Sequence, residues 1–553
     1  MPISRRNLLA VSTALPAAAL GQSLTNKVAH VDILRTPDSV TTFVDRRTLP
    51  LRHEGSRWTA SGIAIYAEPQ QGNIPLRIEA GTLSRVRLRW RAKIPESWRI
   101  LSDAWERSYG DLEWRCLSGD RVLPWYFLAF DGQATNAYGV RTGAAAFAFW
   151  QVDPDGISLW LDVRNGGSAV QLGGRLLDAV TITSYRGGGG ESSFASAQQF
   201  CRELCNSPRV PAEPVYGGNN WYYAYGKNCS AADILRDTAL ITELAHAGTN
   251  RPFMVIDDGW SPVNTTGPWD RGNERFPDMP GLAASIKKHA VRPGIWLRPL
   301  LTRVAVPESA RLRFAPGSRD SLLDPTVPEN LETVRNDIRR MSDWGFELIK
   351  HDYTSFDLVG RWGFRMGAEL TDPGWHFADR TRTTAEITLA LYRAIREAAG
   401  DALIIGCNTF GHLAAGIFEL QRTGDDTSGT DFDRTRRMGV NTLAFRMPQH
   451  KAFFDLDADC APVTPNVPWD LASKWLDLVA NSGTALFVSP DAKALTPQSR
   501  EAIRRAFAAA SKPQASAEAI DWMENTTPAH WRISAKSKEF DWYPPDGGSP
   551  FPE

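Results

Sequence analysis

Cysteine is scarce in this chain: six occur in 553 residues, at positions 116, 201, 205, 229, 407 and 460. None forms a Cys-x-x-Cys pair or a Cys/His zinc spacing, and with nine histidines the usual ligand stock of a metal-dependent hydrolase is thin. The expectation is no metal and no cofactor. Cys201 and Cys205 stand at helical i, i+4 spacing, and the sequence leaves disulfides open. Net charge is lacking too, because 62 basic residues stand against 63 acidic ones. No cationic field exists to attract a nucleic acid. Beyond the N-terminus no apolar run reaches the length that crosses a bilayer, so no membrane span is expected.

What is present is a globular composition, 42% hydrophobic with 20 Trp, in a chain too long for one ordinary core. Two or three domains are expected. The start, Ser4-Arg5-Arg6-Asn7-Leu8-Leu9 followed by an Ala-rich apolar stretch to Leu20, has the layout of a twin-arginine export signal over residues 1–21. That predicts a periplasmic or extracellular protein.

From about residue 28 to 186 short runs such as Val86-Arg87-Leu88-Arg89-Trp90 alternate apolar and polar residues, the period of half-buried antiparallel strands. A β-sandwich domain is predicted over 22–190, closing at the four glycines after Arg186. From about Pro214 the rhythm becomes strand, loop, helix, repeated eight times over 191–511, which predicts a (β/α)8 TIM barrel in preference to a doubly wound open sheet. Residues 512–553 are too few for another domain and read as a C-terminal tail packing on the barrel.

In such a barrel the side chains at the C-terminal ends of the strands converge on one site. Those ends read Asp257-Asp258-Gly259-Trp260, Lys350-His351-Asp352, Cys407-Asn408, Arg422-Thr423-Gly424-Asp425-Asp426 and Asp455-Leu456-Asp457-Ala458-Asp459. Lys350 and Asp352, two apart, would share a strand face, so the ammonium would favour an ionised Asp352. Two carboxylates flanking a glycosidic bond are the minimal apparatus of most glycoside hydrolases, and about 5 to 5.5 Å between them gives retention of configuration. Asp352 and Asp425 fit those roles by strand position. Arg422 opposes a protonated Asp425, and residue chemistry alone leaves that balance open. Asp257 and Asp258 are acceptors for sugar hydroxyls, and Trp260 offers an apolar face to a pyranose.

Taken in order, Ile256-Asp257-Asp258-Gly259-Trp260, Pro293-Gly294-Ile295-Trp296, Lys350-His351-Asp352 and Arg422-Thr423-Gly424-Asp425-Asp426 resemble clan D of the glycoside hydrolases. That clan holds the α-galactosidases and α-N-acetylgalactosaminidases of families 27 and 36. The preceding β-domain and Cys407 on the fifth strand are more similar to family 36. The resemblance implies Asp352 as nucleophile, Lys350 as a ligand of sugar hydroxyls beside it, and Asp425 as acid/base, with Asp426 open because the spacing from Arg422 allows either. It implies Asp257 and Asp258 on the 4- and 6-hydroxyls, Cys407 near the 2-hydroxyl, Arg422 and Asp426 as further sugar contacts, and a Trp of the N-terminal domain, Trp105 or Trp114, closing the site. The chain departs from the family at Thr354, where many members carry Asn, and at Asn408-Thr409-Phe410-Gly411, where a Gly/Ser-rich sequence is usual. The tail is also short beside the family's C-terminal β-domain.

The expected function is a retaining exo-glycosidase releasing terminal α-galactose from a carbohydrate partner. Within the clan the alternatives are an α-N-acetylgalactosaminidase, a β-L-arabinopyranosidase and a galactosyl transferase resembling raffinose synthase. Outside it stand a non-catalytic carbohydrate-binding barrel and a metal-dependent barrel hydrolase.

Overall fold

The computed structural model describes residues 30–45, 47–245, 248–312 and 320–547. The expected export signal lies outside the described residues. A six-stranded and a nine-stranded antiparallel sheet form the N-terminal sandwich, with strands running from Ser39–Val44 to Leu176–Arg186. Strand Arg85–Arg91 shows the cause of its placement: Val86, Leu88 and Trp90 are buried, and the arginines between them face outward. A helix, Ser193–Leu204, capped by the Ser192 side chain on the Ala195 N–H, links this domain to the next.

Eight parallel strands then close into a barrel: β1 (Tyr216–Asn219), β2 (Phe253–Ile256), β3 (Arg292–Leu297), β4 (Leu348–His351), β5 (Leu403–Gly406), β6 (Leu420–Arg422), β7 (Asp455–Val463) and β8 (Ala485–Pro490). Pairing of β1 with β8 completes the ring. The helices outside it start where the sequence supplies caps. Ser230 and Asp233 make a reciprocal capping box at α1 (Ala231–Leu244), and Thr383 and Glu386 make another at α2 (Thr384–Ala398).

The seventh strand differs from the sequence expectation. The run from Ala452 to Leu456 reads as strand, yet the Ala452 and Phe453 N–H groups both bond back to the Gln449 carbonyl, forming a turn. Pairing begins only at Asp455, so Asp455, Asp457 and Asp459 lie along β7 instead of beyond its end. A register shift between Asp457 and Cys460, with Asp459 at φ 68°, bulges this strand beside the mouth of the barrel. The helical run before it is continuous from Phe432 to Arg446 but opens into a π-turn over Arg436–Asn441.

The tail folds into a three-stranded sheet between Glu518 and Glu539. Trp522 packs against Trp114 of the sandwich, Phe194 of the linking helix and Phe445 of the barrel, tying all three together. All six cysteines are free thiols. Among the described residues no helix is long and apolar enough to cross a membrane.

Alternation along β4 sends Lys350 inward and His351 outward, where the imidazole lies 4.8 Å from the Phe418 ring with neither nitrogen hydrogen-bonded. Burial lowers its pKa from 6.5 to about 3. Between those values the unfolded chain binds a proton that the folded one refuses, so stability is lost as pH falls through that window. Relative to His351→Leu, the wild-type protein is expected to lose up to about 4 kcal/mol between pH 6.5 and 3. Urea unfolding of both proteins across this range measures it, and parallel pH profiles would contradict the account.

Candidate active site

The inward faces of the strands carry Phe253 and Val255, Leu348, Ile405, Leu420 and Phe487, which pack into one apolar cluster filling the barrel. Two residues further along, on the same faces, stand Asp257, Lys350, Cys407 and Arg422. The interior is therefore apolar below and charged at the top. Every one of these four is buried.

Buried charge must be paired, and the pairs set the geometry. Lys350 Nζ donates to Asp257 Oδ2 at 2.7 Å, and Asn219 Nδ2 donates to the same oxygen at 2.7 Å. The expected partnership of Lys350 with Asp352 is thus corrected: the ammonium is taken by the carboxylate that follows β2, two strands away, while Asp352 lies just past the end of β4 with its N–H bonded to the Leu297 carbonyl of β3. Asp352 is half-buried and aimed by two donors, the Tyr353 backbone N–H at 2.7 Å and Trp296 Nε1 at 3.3 Å. Tyr353 holds that turn at φ 65°, a left-handed conformation costly for an aromatic residue. Arg298 stabilises it, with its guanidinium 4.0 Å from the Tyr353 ring centroid and a two-point bond to Asp357 at 2.9 and 2.5 Å.

Asp258 accepts from the Gly259 N–H at 2.8 Å and the Thr265 N–H at 3.0 Å. Burial, helped by the nearby charges of Asp257 and Asp352, raises its pKa to about 6. Arg422 reaches Asp459 at 2.8 Å, Asp426 at 3.2 Å and the Cys407 sulfur at 3.3 Å. Asp459 also accepts from the Thr427 N–H and from the Tyr222 hydroxyl. Burial works to raise Asp426, but Arg422, Arg107, Lys350 and Arg434 overcome it and draw the carboxyl down to about 2. Burial pushes the Cys407 thiol up, so it stays protonated.

The N-terminal domain completes the mouth through residues 103–109. Asp103 meets Arg446 at 2.8 Å and Gln449 at 2.8 Å, fixing the segment to the barrel. Glu106 binds Ser355 and Asn408, and accepts from the Gly363 N–H at 2.7 Å. The Ser108 N–H donates to the Thr423 carbonyl and the Asp425 N–H to the Ser108 carbonyl, a short bridge beside β6. Between these anchors Arg107 enters the site, 2.7 Å from Asp425 and 3.8 Å from both Asp426 and the Cys407 sulfur. Arg434 holds the other Asp425 oxygen at 2.8 Å.

The structure therefore gathers Asp257, Asp258, Lys350, Asp352, Cys407, Arg422, Asp425 and Asp426 at one end of the barrel. Two expected contacts are corrected. Trp260 is fully buried, donates from Nε1 to the Trp296 carbonyl at 2.8 Å and packs on Trp269 and Trp344, leaving no face for a sugar. Trp105 lies in the sandwich core against Trp125 and Phe147, and Trp114 is buried against Trp522. The residue of that segment in the site is Arg107, missed because a charged pair between aromatics on a β-domain reads as surface. Tyr222 and Arg298 were also missed, and Trp296 and Asp459 were named without a role, since their roles come from contacts across strands. Among the described residues no cluster of His, Cys, Asp and Glu is arranged to hold a metal ion.

The fold that carries this site is that of the family 36 glycoside hydrolases, as comparison with solved structures shows; no family model matches the chain, and no curated protein matches it by sequence. The α-galactosidase TtGalA of Thermus thermophilus, in complex with p-nitrophenyl α-D-galactopyranoside, superposes with a TM-score of 0.58 at 17% identity, over 91% of this chain and 98% of that one. The family 36 α-galactosidase AgaB of Geobacillus stearothermophilus gives 0.56 at 13% identity, over 86% and 75%. The galactosidase domain of the α-galactosidase-sucrose kinase AgaSK gives 0.56 at 15%, over 87% and 69%. At these identities the likeness is one of fold: a closed eight-stranded barrel behind an N-terminal β-sandwich.

Lys350→Met would leave Asp257 charged and buried without its cation. A loss of about 3–5 kcal/mol is expected in urea unfolding, partly recovered when Asp257→Asn is added. An unchanged midpoint for Lys350→Met would remove this pair from the foundations of the site.

Proposed function

We propose that this protein is a retaining glycosidase acting on terminal α-galactosyl groups, with Asp352 as nucleophile and Asp426 as acid/base. The observation that carries the reading is Asp352 itself, a carboxylate at the end of β4, aimed by Trp296 and the Tyr353 N–H, at the same end of the barrel as Asp426. The barrel that presents it is shared with α-galactosidases, including one solved in complex with an aryl α-galactoside. Asp352 attacks the anomeric carbon and the leaving oxygen takes a proton from the acid; water, deprotonated by the same group, then releases the sugar.

Asp426 is preferred to Asp425 for the proton because both Asp425 oxygens are held by arginines and its backbone is bridged to Ser108. In the unliganded protein Asp426 is the ionised base of the second step. A bound sugar desolvates Asp426 further, and desolvation raises a carboxyl pKa, the direction the first step needs. Asp257, Asp258 and Lys350 are proposed as hydroxyl ligands. The twin-arginine pattern of residues 4–9 supports action outside the cytoplasm.

Asp352→Asn is expected to lower kcat on an aryl α-galactoside by a factor on the order of 10⁴ or more. Asp426→Asn is expected to cost roughly 10²–10⁴ on an oligosaccharide, much less on an aryl galactoside with an acidic phenol, and to be rescued by azide, which needs no base. Asp425→Asn should slow all leaving groups alike. If leaving-group dependence and azide rescue follow Asp425→Asn instead, the acid/base is Asp425. Proton NMR of the first-formed sugar should show the α anomer, and the β anomer would contradict double displacement. Running the same aryl panel with α-N-acetylgalactosaminide and β-L-arabinopyranoside fixes the sugar.

A further inference from the structure

Glu106 of the sandwich is fully buried, and both oxygens of its carboxylate are taken by donors from the mouth of the barrel. The Tyr109 hydroxyl and the Gly363 N–H bond Oε1, and the Ser355 hydroxyl and the Asn408 side-chain amide bond Oε2. An ionised carboxylate accepts at about four sites, so none is left over for a ligand. The fit is close in space as well, because a Cβ on residue 363 would stand 2.7 Å from the Glu106 Cγ. Glycine is required there.

Ser355 and Gly363 belong to the chain that leaves Asp352, and Asn408 grips the same stretch from the end of β5. The Asn408 carbonyl accepts from Thr354 Oγ1 at 2.9 Å and from the Ser355 N–H at 3.1 Å, and its side-chain oxygen accepts from the Phe356 N–H at 3.2 Å. Thr354 and Asn408 stand at the two places where the sequence departs from the family pattern. Here they bond to each other. The turn just before them holds Tyr353 at φ 65°, and such a conformation persists only where its surroundings over-determine it. Arg298 and Asp357 hold that turn from one side, while Glu106 and Asn408 fix the residues that emerge from it. The Tyr353 N–H that aims Asp352 lies in this turn. In the reading proposed above, on which this inference rests, Asp352 must reach the anomeric carbon, and a misplacement of about 1 Å costs on the order of 10²-fold in rate.

We infer that Glu106 is a positioning residue for the nucleophile: through this one carboxylate the N-terminal domain sets where Asp352 stands. Glu106 touches no sugar, so its removal acts on the rate of attack and leaves binding in place. Glu106→Gln keeps the shape but supplies two N–H donors where only acceptors fit. Whichever way the amide lies, it meets either the Gly363 N–H or the Asn408 amide, and turning Asn408 round would oppose the Phe356 N–H instead.

The test follows covalent labelling by a slowly turned-over fluorinated α-galactosyl fluoride, in which Asp352 displaces fluoride from the anomeric carbon, on wild type, Glu106→Gln and Glu369→Gln. Glu369 joins the same loop to the sandwich, through Arg85 at 2.6 Å and Arg164 at 2.9 Å, away from the turn. Glu106→Gln is expected to lower the labelling rate constant roughly 10–100-fold, with the dissociation constant of the reagent changed by less than about threefold. Glu369→Gln should label within about twofold of wild type. Equal losses in the two variants would reduce Glu106 to a domain anchor and overturn the inference, as would a loss confined to the dissociation constant or a wild-type labelling rate in Glu106→Gln. If Glu106→Gln fails to fold, Ser355→Ala, which removes one donor and no charge, carries the comparison. It is expected to label at least about threefold more slowly at an unchanged dissociation constant, and a wild-type rate overturns the inference. Wild-type protein that is neither labelled nor active on any aryl α-galactoside would instead defeat the glycosidase reading, and this inference with it.

Discussion

The structure depends on one constraint: charges buried at the top of a closed barrel must be matched by charges from other strands. Water cannot compensate them there, and removing one partner strands the other. Lys350 is therefore spent on Asp257, Arg422 on Asp459 and Asp426, Arg298 on Asp357, and Arg107 on Asp425. Two carboxylates of the site remain without a side-chain cation in hydrogen-bond contact: Asp258, held by two backbone N–H groups, and Asp352, held by a backbone N–H and an indole. That contrast separates these two carboxylates from those whose charge holds the frame.

The same constraint explains why the β-sandwich cannot be treated as an accessory. Residues 103–109 place two buried carboxylates and a guanidinium into the barrel, through Arg446, Ser355, Asn408 and Asp425. A barrel lacking this segment would hold Arg446 with no carboxylate and Asp425 with one arginine fewer. Trp522 braces the junction from the far side, between the sandwich, the linking helix and the barrel.

Much of this was legible in the sequence, for definite physical reasons. Alternating runs such as residues 86–90 mark sandwich strands because one face must be apolar, and Phe253–Ile256 stands where its uninterrupted apolar run and the following Asp-Asp-Gly turn place it. The strand-end polar residues were found because a barrel sends them all to one face. Side-chain partners at and beyond a strand end were not legible: Trp260 is buried in the wall, and Lys350 pairs with Asp257 while Asp352 accepts from Trp296 and the Tyr353 N–H. The start of the seventh strand was misread because Phe453 and Phe454 are apolar in a buried turn, where periodicity carries no signal. Arg107 was invisible because its partners lie roughly three hundred residues away in the chain.

The proposed function asks for a division of labour among these groups in which Asp352 forms the covalent bond. The most direct measurement is mass spectrometry of the protein after exposure to a slowly turned-over fluorinated α-galactoside, followed by peptide mapping. The account predicts one added fluorogalactosyl unit, attached to Asp352 and absent from Asp352→Asn. A label on any other residue, or turnover with no covalent adduct at all, would contradict it.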